Sequence, residues 1–234
     1  MGVNMLKKII CGILVIMCAV FSLSAQQREQ PEQRERTIEE LYLSQSIELQ
    51  LIRNQVASND WEVRSLAIQS LRNMAQEGRI NEDNSAVFLI LEEVAKPIEQ
   101  GGNQKNFNLI RREACSILGD VGGARSQQIL LEVLSLDREP TVLSEAVYAL
   151  GKIGSDPTGI VLTKMMYLLH NENVKTTPDN NFAYATLLSI GKLIKGKDGI
   201  KAADQIGPLI ELLGCNYKKE VKRKAMEIIF QLQS

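Results

Sequence analysis

The 234 residues include 27 Lys and Arg against 28 Asp and Glu, which gives a formal net charge of −1, and 44% are apolar while 5% are aromatic. This apolar fraction is too high for a disordered chain and sufficient for a buried core. The near-zero charge gives no overall electrostatic reason to expect a nucleic-acid partner.

The first 25 residues have the layout of a secretory signal peptide. A basic start, MGVNMLKK, precedes an apolar run of 13 residues, IICGILVIMCAVF, and a small-residue ending, SLSA. The run is shorter than the ~20 residues of a membrane-spanning helix, so we predict cleavage near Ala25 and export to the periplasm or envelope. Two alternatives stay open: an uncleaved anchor over residues 9–25, and a lipid anchor on Cys18, because VIMC loosely resembles a bacterial lipoprotein box.

A polar linker follows at residues 26–37. Its sequence, QQREQPEQRERT, balances three arginines with three glutamates and has no apolar residue except Pro31. This composition predicts a solvated tether rather than part of a core.

One phrase recurs five times in the remaining chain. Its apolar or small residues fall at offsets 0, 4, 7, 8 and 11, the spacing of one face of a helix, and successive copies lie 32 to 47 residues apart. A recurrence of this length is typical of repeat architectures. The copies are VRSLAIQSLRNM from Val63, IRREACSILGDV from Ile110, VLSEAVYALGKI from Val142, FAYATLLSIGKL from Phe182 and VKRKAMEIIFQL from Val221.

A second helical stretch precedes each copy, with turn-rich residues between the two. The unit is therefore a helical hairpin of about 40 residues, and stacked hairpins share a continuous core that no single hairpin can form. Glycines at offset 9 of three copies, Gly119, Gly151 and Gly191, indicate close packing near the helix ends. We predict an all-α fold, an α-α superhelix (a helical solenoid) of about five hairpins over residues 38–234. The approximate repeats are 38–76, 84–123, 125–155, 158–196 and 200–234.

The recurring phrase resembles the second helix of HEAT repeats, especially the HEAT-like repeats of phycobilisome lyases. The copies depart from that pattern at Arg72 and Phe230, which replace the glycine, and at Leu143, which replaces the arginine. The resemblance covers about residues 38–234, which is nearly all of the chain after the predicted signal peptide. It implies an ARM/HEAT-like solenoid and, together with the signal-peptide layout, an exported bacterial HEAT-repeat protein, but it implies no chromophore attachment. It rests on Asp60, Val63 and Arg64 in the first copy and on Ala146, Ala149, Leu150, Gly151, Ile153 and Gly154 in the third.

Residues with catalytic chemistry are sparse. The only histidine, His170, lies at the end of a predicted helix, and no Cys-x-x-Cys pair or glycine-rich phosphate loop occurs. We predict no enzymatic activity, no cofactor and no metal site. Cys115 and Cys215 lie three hairpins apart, roughly 30 Å at ~10 Å per hairpin. That separation exceeds the reach of a disulfide, so we predict two free thiols, with Cys115 buried.

The resemblance places a binding surface on the second helices, which line the concave face of HEAT-like stacks. Tyr and Arg at outward offsets suit a protein-binding surface, because these residue types dominate binding hot spots. The predicted protein-binding residues are Arg64, Arg72, Arg111, Arg112, Tyr148, Lys152, Tyr184, Lys192 and Arg223. A separate basic cluster near the C-terminus, a candidate contact for an anionic surface or a polar cap on the last repeat, contains Lys218, Lys219, Lys222 and Lys224.

Two insertions interrupt the period, at residues 97–108 and 171–181. Long loops on a rigid scaffold often carry function, and they also tolerate drift. The function predicted from the sequence is a non-enzymatic exported scaffold or adaptor that binds another protein through its second helices. The alternatives are a binder of an envelope membrane surface or anionic polymer through the C-terminal basic cluster, and a regulatory subunit of an enzyme. The sequence identifies neither the partner nor the oligomeric state.

Overall fold

The computed structural model describes residues 46–81, 84–97, 104–194 and 206–233, which lie in the compact unit Ser44–Ser234. The predictions for residues 1–45, namely the signal peptide, the linker and the start of the first repeat, lie outside the described residues. The described ranges contain ten helices and no strand. They are α1 (Ile47–Val56), α2 (Trp61–Gln76), α3 (Ser85–Ala95), α4 (Gln104–Val121), α5 (Gly123–Leu136), α6 (Pro140–Ile153), α7 (Ile160–Asn173), α8 (Asn180–Ile194), α9 (Gly207–Gly214) and α10 (Lys219–Gln233).

The helices pair into five hairpins arranged in two layers. The first helices of the hairpins, α1, α3, α5, α7 and α9, are called A helices, and the second helices, α2, α4, α6, α8 and α10, are called B helices. Each B helix packs against its own A helix and against the B helix of the next hairpin. This arrangement confirms the predicted all-α solenoid of the ARM/HEAT type.

The core lies between the two layers and is built from the recurring phrase. In α6, Val142, Ala146, Ala149 and Leu150 are all almost fully buried, and the same offsets are buried in the neighbouring B helices. Since offsets 0, 4, 7 and 8 share one face of a helix, one short pattern buries each B helix against its neighbours.

Aspartates fix where several of the helices begin. The Asp60 carboxylate accepts a hydrogen bond from the backbone N–H of Glu62 at 2.9 Å, at the start of α2. Asp179 accepts in the same way from the N–H groups of Asn181 and Phe182, at 2.7 and 3.1 Å, at the start of α8. These caps satisfy backbone donors that the first helical turn leaves without partners.

Two of the three offset-9 glycines lie where neighbouring B helices come closest. A Cβ atom added at Gly151 would lie 2.6 Å from the Cα of Ser189 in α8, and one added at Gly119 would lie 2.9 Å from the Cα of Ala149 in α6. Both partners occupy offset 7 of the following copy. These two glycines permit backbone-to-backbone packing and confirm the packing role predicted for them, whereas the prediction is wrong for Gly191, whose Cβ would meet no atom closer than 3.8 Å.

The two predicted insertions are shorter in the structure than in the sequence pattern. Residues 104–108 already belong to α4, while residues 98–103 lie outside the described part of the chain. The second insertion narrows to residues 174–179, because α7 continues to Asn173 and α8 begins at Asn180. The sequence interpretation was wrong at these ends because polar residues there complete helical turns.

Hydrogen bonds at the end of α7 tie the fourth hairpin to the last one. The buried Glu172 carboxylate accepts a hydrogen bond from the backbone N–H of Asp179 at 2.7 Å, within the fourth hairpin. Asn173 donates through Nδ2 to the carbonyl of Pro208 at 2.8 Å and accepts through Oδ1 from the Tyr217 hydroxyl at 3.0 Å. Asn173 therefore holds the fourth hairpin against the fifth.

We expect Gly151→Ala to destabilise the protein by about 1–3 kcal/mol, because the new methyl group meets the α8 backbone and overpacks the interface. Gly191→Ala is the matched control: its Cβ would lie 3.8 Å from the nearest heavy atom, the Cγ1 of Ile228. There the higher helix propensity of alanine should stabilise by up to about 1 kcal/mol. Urea unfolding followed by circular dichroism measures both, and equal effects would contradict the close-packing role of Gly151.

Candidate functional site

The outward side of the B layer carries the predicted protein-binding residues and is called the B-helix face. It is formed by the exposed and half-buried side chains of α2, α4, α6, α8 and α10 at offsets between the buried ones. The nine predicted residues do not share one environment on it. Two are held inside the fold, three belong to an ion-paired region on α2, α4 and α6, and four gather around a groove between α6, α8 and α10.

Arg111 is a structural residue. Its Nε lies 2.7 Å from Asp137 Oδ2 and its Nη2 lies 3.2 Å from Oδ1, and the two side chains are only 12% and 2% exposed. Asp137 also accepts hydrogen bonds from the backbone N–H groups of Arg138 and Glu139 at 2.7 and 2.8 Å. The guanidinium is thus bound within the fold and is not presented on the B-helix face.

Arg64 is likewise engaged by its own fold. Its Nε donates to the carbonyl oxygen of Ser58, and its guanidinium lies 5.0 Å from the centroid of the Phe107 ring on α4. Burial lowers the pKa of the Arg64 guanidinium, and the nearby Glu93 carboxylate opposes that shift. These contacts join α2 to α4 and leave Arg64 little capacity to bind a partner.

Ion pairs neutralise the N-terminal half of the B-helix face. Arg72 pairs with Glu113 across α2 and α4, and Arg112 Nη2 lies 3.3 Å from the other oxygen of Glu113. Lys152 of α6 pairs with Asp120 of α4. The predicted cations Arg72, Arg112 and Lys152 therefore all have an acidic neighbour within this face.

Glu145 adds a further acid beside this network. Desolvation raises the pKa of the Glu145 carboxyl, against a hydrogen bond from Ser116 and the attraction of Arg112, while Glu113 adds to the rise. The two nearby arginines, Arg72 and Arg112, are therefore matched by two carboxyl groups, those of Glu113 and Glu145.

The C-terminal half of the B-helix face is an open groove with aromatic walls. The groove has a volume of about 510 Å³ and lies between α6, α8 and α10. Tyr148 and Tyr184 line it with 41% and 37% of their surface exposed, and Lys192 Nζ stands 4.5 Å from the centroid of the Tyr148 ring. The remaining lining residues are Asn180, Asn181, Ala185, Leu188, Lys218, Glu220, Val221 and Arg223.

The cations at this groove lack close acidic partners. Within the described ranges, Lys192 and Lys218 form no ion pair, and Arg223 makes only a 3.7 Å contact with Glu227 while staying 71% exposed. The structure thus brings together four of the nine predicted residues, Tyr148, Tyr184, Lys192 and Arg223. It adds Lys218, which the sequence had assigned to the basic cluster.

The C-terminal basic cluster does not act as one patch. Lys218 lines the groove, whereas Lys219 and Lys222 border a separate shallow hollow beside Met226. Lys224 lines neither the groove nor this hollow, and its Nζ lies 3.1 Å from Glu227 Oε2. The cluster is contiguous in sequence but divided around α10.

Sequence reasoning missed the apolar floor of the groove and a second groove in the A layer. In α8, Ala185 and Leu188 lie at offsets that the recurring pattern of buried residues leaves out. Nothing in the sequence therefore marks them as part of a groove. The second groove, of about 560 Å³, lies between α5 and α7. Its rim includes the exposed side chains of Leu136 and Ile160.

Groups that suggest catalysis are engaged in structural contacts. His170 Nδ1 lies 2.8 Å from Glu211 Oε2, which joins α7 to α9. Cys115 is a buried free thiol, as predicted, and desolvation raises its pKa. Cys215 is a half-buried free thiol in the fifth hairpin. Within the described residues, His, Cys, Asp and Glu form no group of three or more that would hold a metal ion, and no helix is long and apolar enough to cross a membrane.

Comparison with known families identifies the repeat. The family model of HEAT repeats matches residues 102–177, which is less than half of the chain and corresponds to helices α4 to α7. No curated protein and no solved structure matches the chain.

We expect Arg111→Met to destabilise the protein by about 3–5 kcal/mol, because it leaves the buried Asp137 carboxylate without its cation. Arg112→Met is the matched control on the adjacent, more exposed residue, whose surface ion pair contributes about 0–1 kcal/mol. Thermal unfolding of both variants tests this difference. Similar losses in the two would refute the structural assignment of Arg111.

Glu145→Gln should change stability in a pH-dependent way. Folding raises the pKa of the Glu145 carboxyl. The contribution of this carboxyl to the stability of the fold is therefore greatest below the unfolded-state pKa and is lost as pH rises through the folded-state pKa. The neutral glutamine should therefore stabilise the protein at pH 7, and the gain should vanish at acidic pH. Urea unfolding across this range measures the difference, and a gain that increases on acidification would contradict it.

Proposed function

We propose that this chain, which is a HEAT-repeat protein, is a non-enzymatic exported scaffold that binds another protein through its B-helix face. HEAT repeats are protein-interaction scaffolds. The single observation that carries the proposal is the groove between α6, α8 and α10, where exposed tyrosines and cations without close acidic partners are gathered.

The chemistry of the B-helix face supports binding rather than catalysis. Tyr and Arg supply large contact area and strong directional hydrogen bonds to a partner, and the groove is open rather than enclosed. The titratable groups that catalysis would use are held in structural contacts, as for His170 with Glu211 and for Arg111 with Asp137.

The proposed export rests on the N-terminal layout of residues 1–25, a basic start, an apolar run and a small-residue ending. Export would place the scaffold in the periplasm or envelope, among proteins of that compartment. A lipid anchor on Cys18 or an uncleaved N-terminal anchor would place it at a membrane surface instead.

A second candidate, binding to an anionic envelope surface, is favoured by one feature of α10. Its exposed side places Lys219 two turns before Met226 and Arg223 two turns before Phe230, and the two apolar residues are 43% and 69% exposed. Cations beside exposed apolar side chains suit an interface with anionic lipid. We favour protein binding at the groove over this candidate because Met226 and Phe230 form only a small apolar surface.

The proposal is tested by affinity recovery from the native envelope extract with three matched variants. The first changes Arg72 and Arg112 to Ala in the N-terminal half of the face, and the second changes Tyr148, Tyr184 and Arg223 to Ala in the C-terminal half. The control changes Lys164 and Tyr167 to Ala, since Lys164 Nζ lies 5.8 Å from the Tyr167 ring centroid on α7 in the A layer. The control therefore removes a cation and an exposed tyrosine from the A layer and leaves the B-helix face unchanged.

We expect a protein recovered by the unmodified chain and by the A-layer control to be lost, by at least about tenfold, with one of the two B-helix-face variants, since hot-spot truncations cost about 1–2 kcal/mol or more each. The N-terminus of the protein isolated from cells reports cleavage in the same experiment. Recovery that survives both B-helix-face variants, with their folds intact by circular dichroism, would refute the proposed surface.

A further inference from the structure

We infer that the groove between α6, α8 and α10 binds an extended acidic segment of a polypeptide. The segment's carboxylates contact Lys192, Lys218 and Arg223, and an apolar side chain of the segment packs against Tyr148 and Tyr184. This inference rests on the proposed scaffold function, because it names the chemistry of the partner and the half of the B-helix face that contacts it.

The positive charge at the groove is largely unmatched. Lys218 and Arg223 line the groove, Lys192 lies over the Tyr148 ring at its wall, and Glu220 is the one acidic residue among the described residues that line it. Lys192 and Lys218 have no ion-pair partner within the described part of the chain, and Arg223 keeps 71% of its side chain exposed although its Nη1 lies 3.7 Å from Glu227 Oε1. A ligand that supplies carboxylates completes these interactions and gains charge-assisted hydrogen bonds.

In the N-terminal half of the B-helix face, acids of the fold already neutralise the cations. There, Arg72 and Arg112 are both matched by Glu113, and Lys152 is matched by Asp120. An acidic ligand would have to break these contacts to bind the N-terminal half. Electrostatic complementarity therefore directs an acidic segment to the C-terminal half.

The composition of the groove favours an acidic segment that also carries an apolar side chain. Its floor is apolar, with Ala185, Leu188 and Val221, and its walls are the two tyrosine rings. Lys192 lies over the Tyr148 ring, so a carboxylate that binds the ammonium also lies next to an aromatic surface. This combination suits a segment in which an aliphatic or aromatic side chain is flanked by Asp or Glu.

The length of the groove favours a linear segment of polypeptide. The contacts come from three successive B helices, and packed helices stand about 8–10 Å apart, so the groove spans roughly 20 Å. An extended chain advances about 3.3 Å per residue. About six residues therefore cross the groove, which a linear segment of a partner supplies.

A polypeptide fits these observations better than a lipid surface. Lipid headgroups present charge in a plane, whereas the cations here border a recess with an apolar floor. The exposed apolar residues Met226 and Phe230 on α10 are absent from the residues that line the groove.

The test is selection from a display library of random peptides of about twelve residues on the purified full chain. We expect the enriched peptides to be acidic with at least one aromatic or aliphatic residue, and an enriched peptide to bind more weakly as salt is raised, because screening weakens exposed charge pairs. Tyr184→Ala and Arg223→Ala should each lower its affinity about tenfold. The A-layer variant with Lys164 and Tyr167 changed to Ala should keep the affinity of the unmodified chain.

A charge-reversed variant separates recognition from a structural effect. With Lys192→Glu and Arg223→Glu together, the same library should enrich basic peptides, provided that the variant unfolds at the same temperature as the unmodified chain. A change in the sign of the selected charge follows only if these side chains contact the ligand.

Three results would overturn the inference. The unmodified chain enriches no peptide or only neutral or basic ones; the acidic peptides keep their affinity in Arg223→Ala; or the chain sediments with phosphatidylglycerol vesicles through Arg223 while it enriches no acidic peptide. The scaffold proposal is judged separately. A partner lost only with the variant of Arg72 and Arg112 would keep the scaffold function and reject this groove, whereas recovery unaffected by either half would reject the scaffold function itself.

Discussion

The contact of one B-helix backbone with the next is the constraint on which the other features of the repeat domain depend. At Gly119 against Ala149 and at Gly151 against Ser189, a single added methyl group would lie within 3 Å of the neighbouring helix. Such contacts leave little freedom in the spacing of α4, α6 and α8. Because interiors are close-packed and deform little, this fixed spacing determines where the outward side chains of successive B helices lie relative to one another.

Polar contacts then fix the hairpins in register. The buried pair of Arg111 and Asp137 holds α4 to the connection between α5 and α6, and the same carboxylate binds the backbone at that connection. Asn173 joins the fourth hairpin to the fifth through Tyr217 and Pro208. The Arg111–Asp137 pair and the contacts of Asn173 cross from one hairpin to the next. A change of register would leave the buried charge of Asp137 unmatched.

On this framework the B-helix face divides by electrostatics rather than by shape. Arg72 and Lys152 lie within reach of acids on the neighbouring helix α4, and Arg112 lies beside Glu113 on its own helix, so these charges neutralise one another. Lys192, Lys218 and Arg223 instead lie beside tyrosines and an apolar floor. Two regions with the same residue types in the sequence therefore have different binding capacity, since a cation paired within the fold gains little from an acidic ligand.

The sequence by itself determined the five helical hairpins and their buried faces, because the phase of apolar residues along a helix is a local property that offsets 0, 4, 7 and 8 record directly. It also indicated the packing role of Gly119 and Gly151, since glycine inside a helix is unfavourable without such a role.

Only the tertiary structure decided which outward residues stay available to a partner. Arg111 and Arg112 are adjacent in sequence, but one lies buried against Asp137 while the other stays near the surface. Arg223 and Lys192 lie at one groove although they belong to different hairpins. Lys218 lines that groove and Lys224 does not, although only six positions separate them in the sequence. Which acid reaches which cation depends on the spacing and register of separate hairpins, and no local pattern in the sequence encodes that distance.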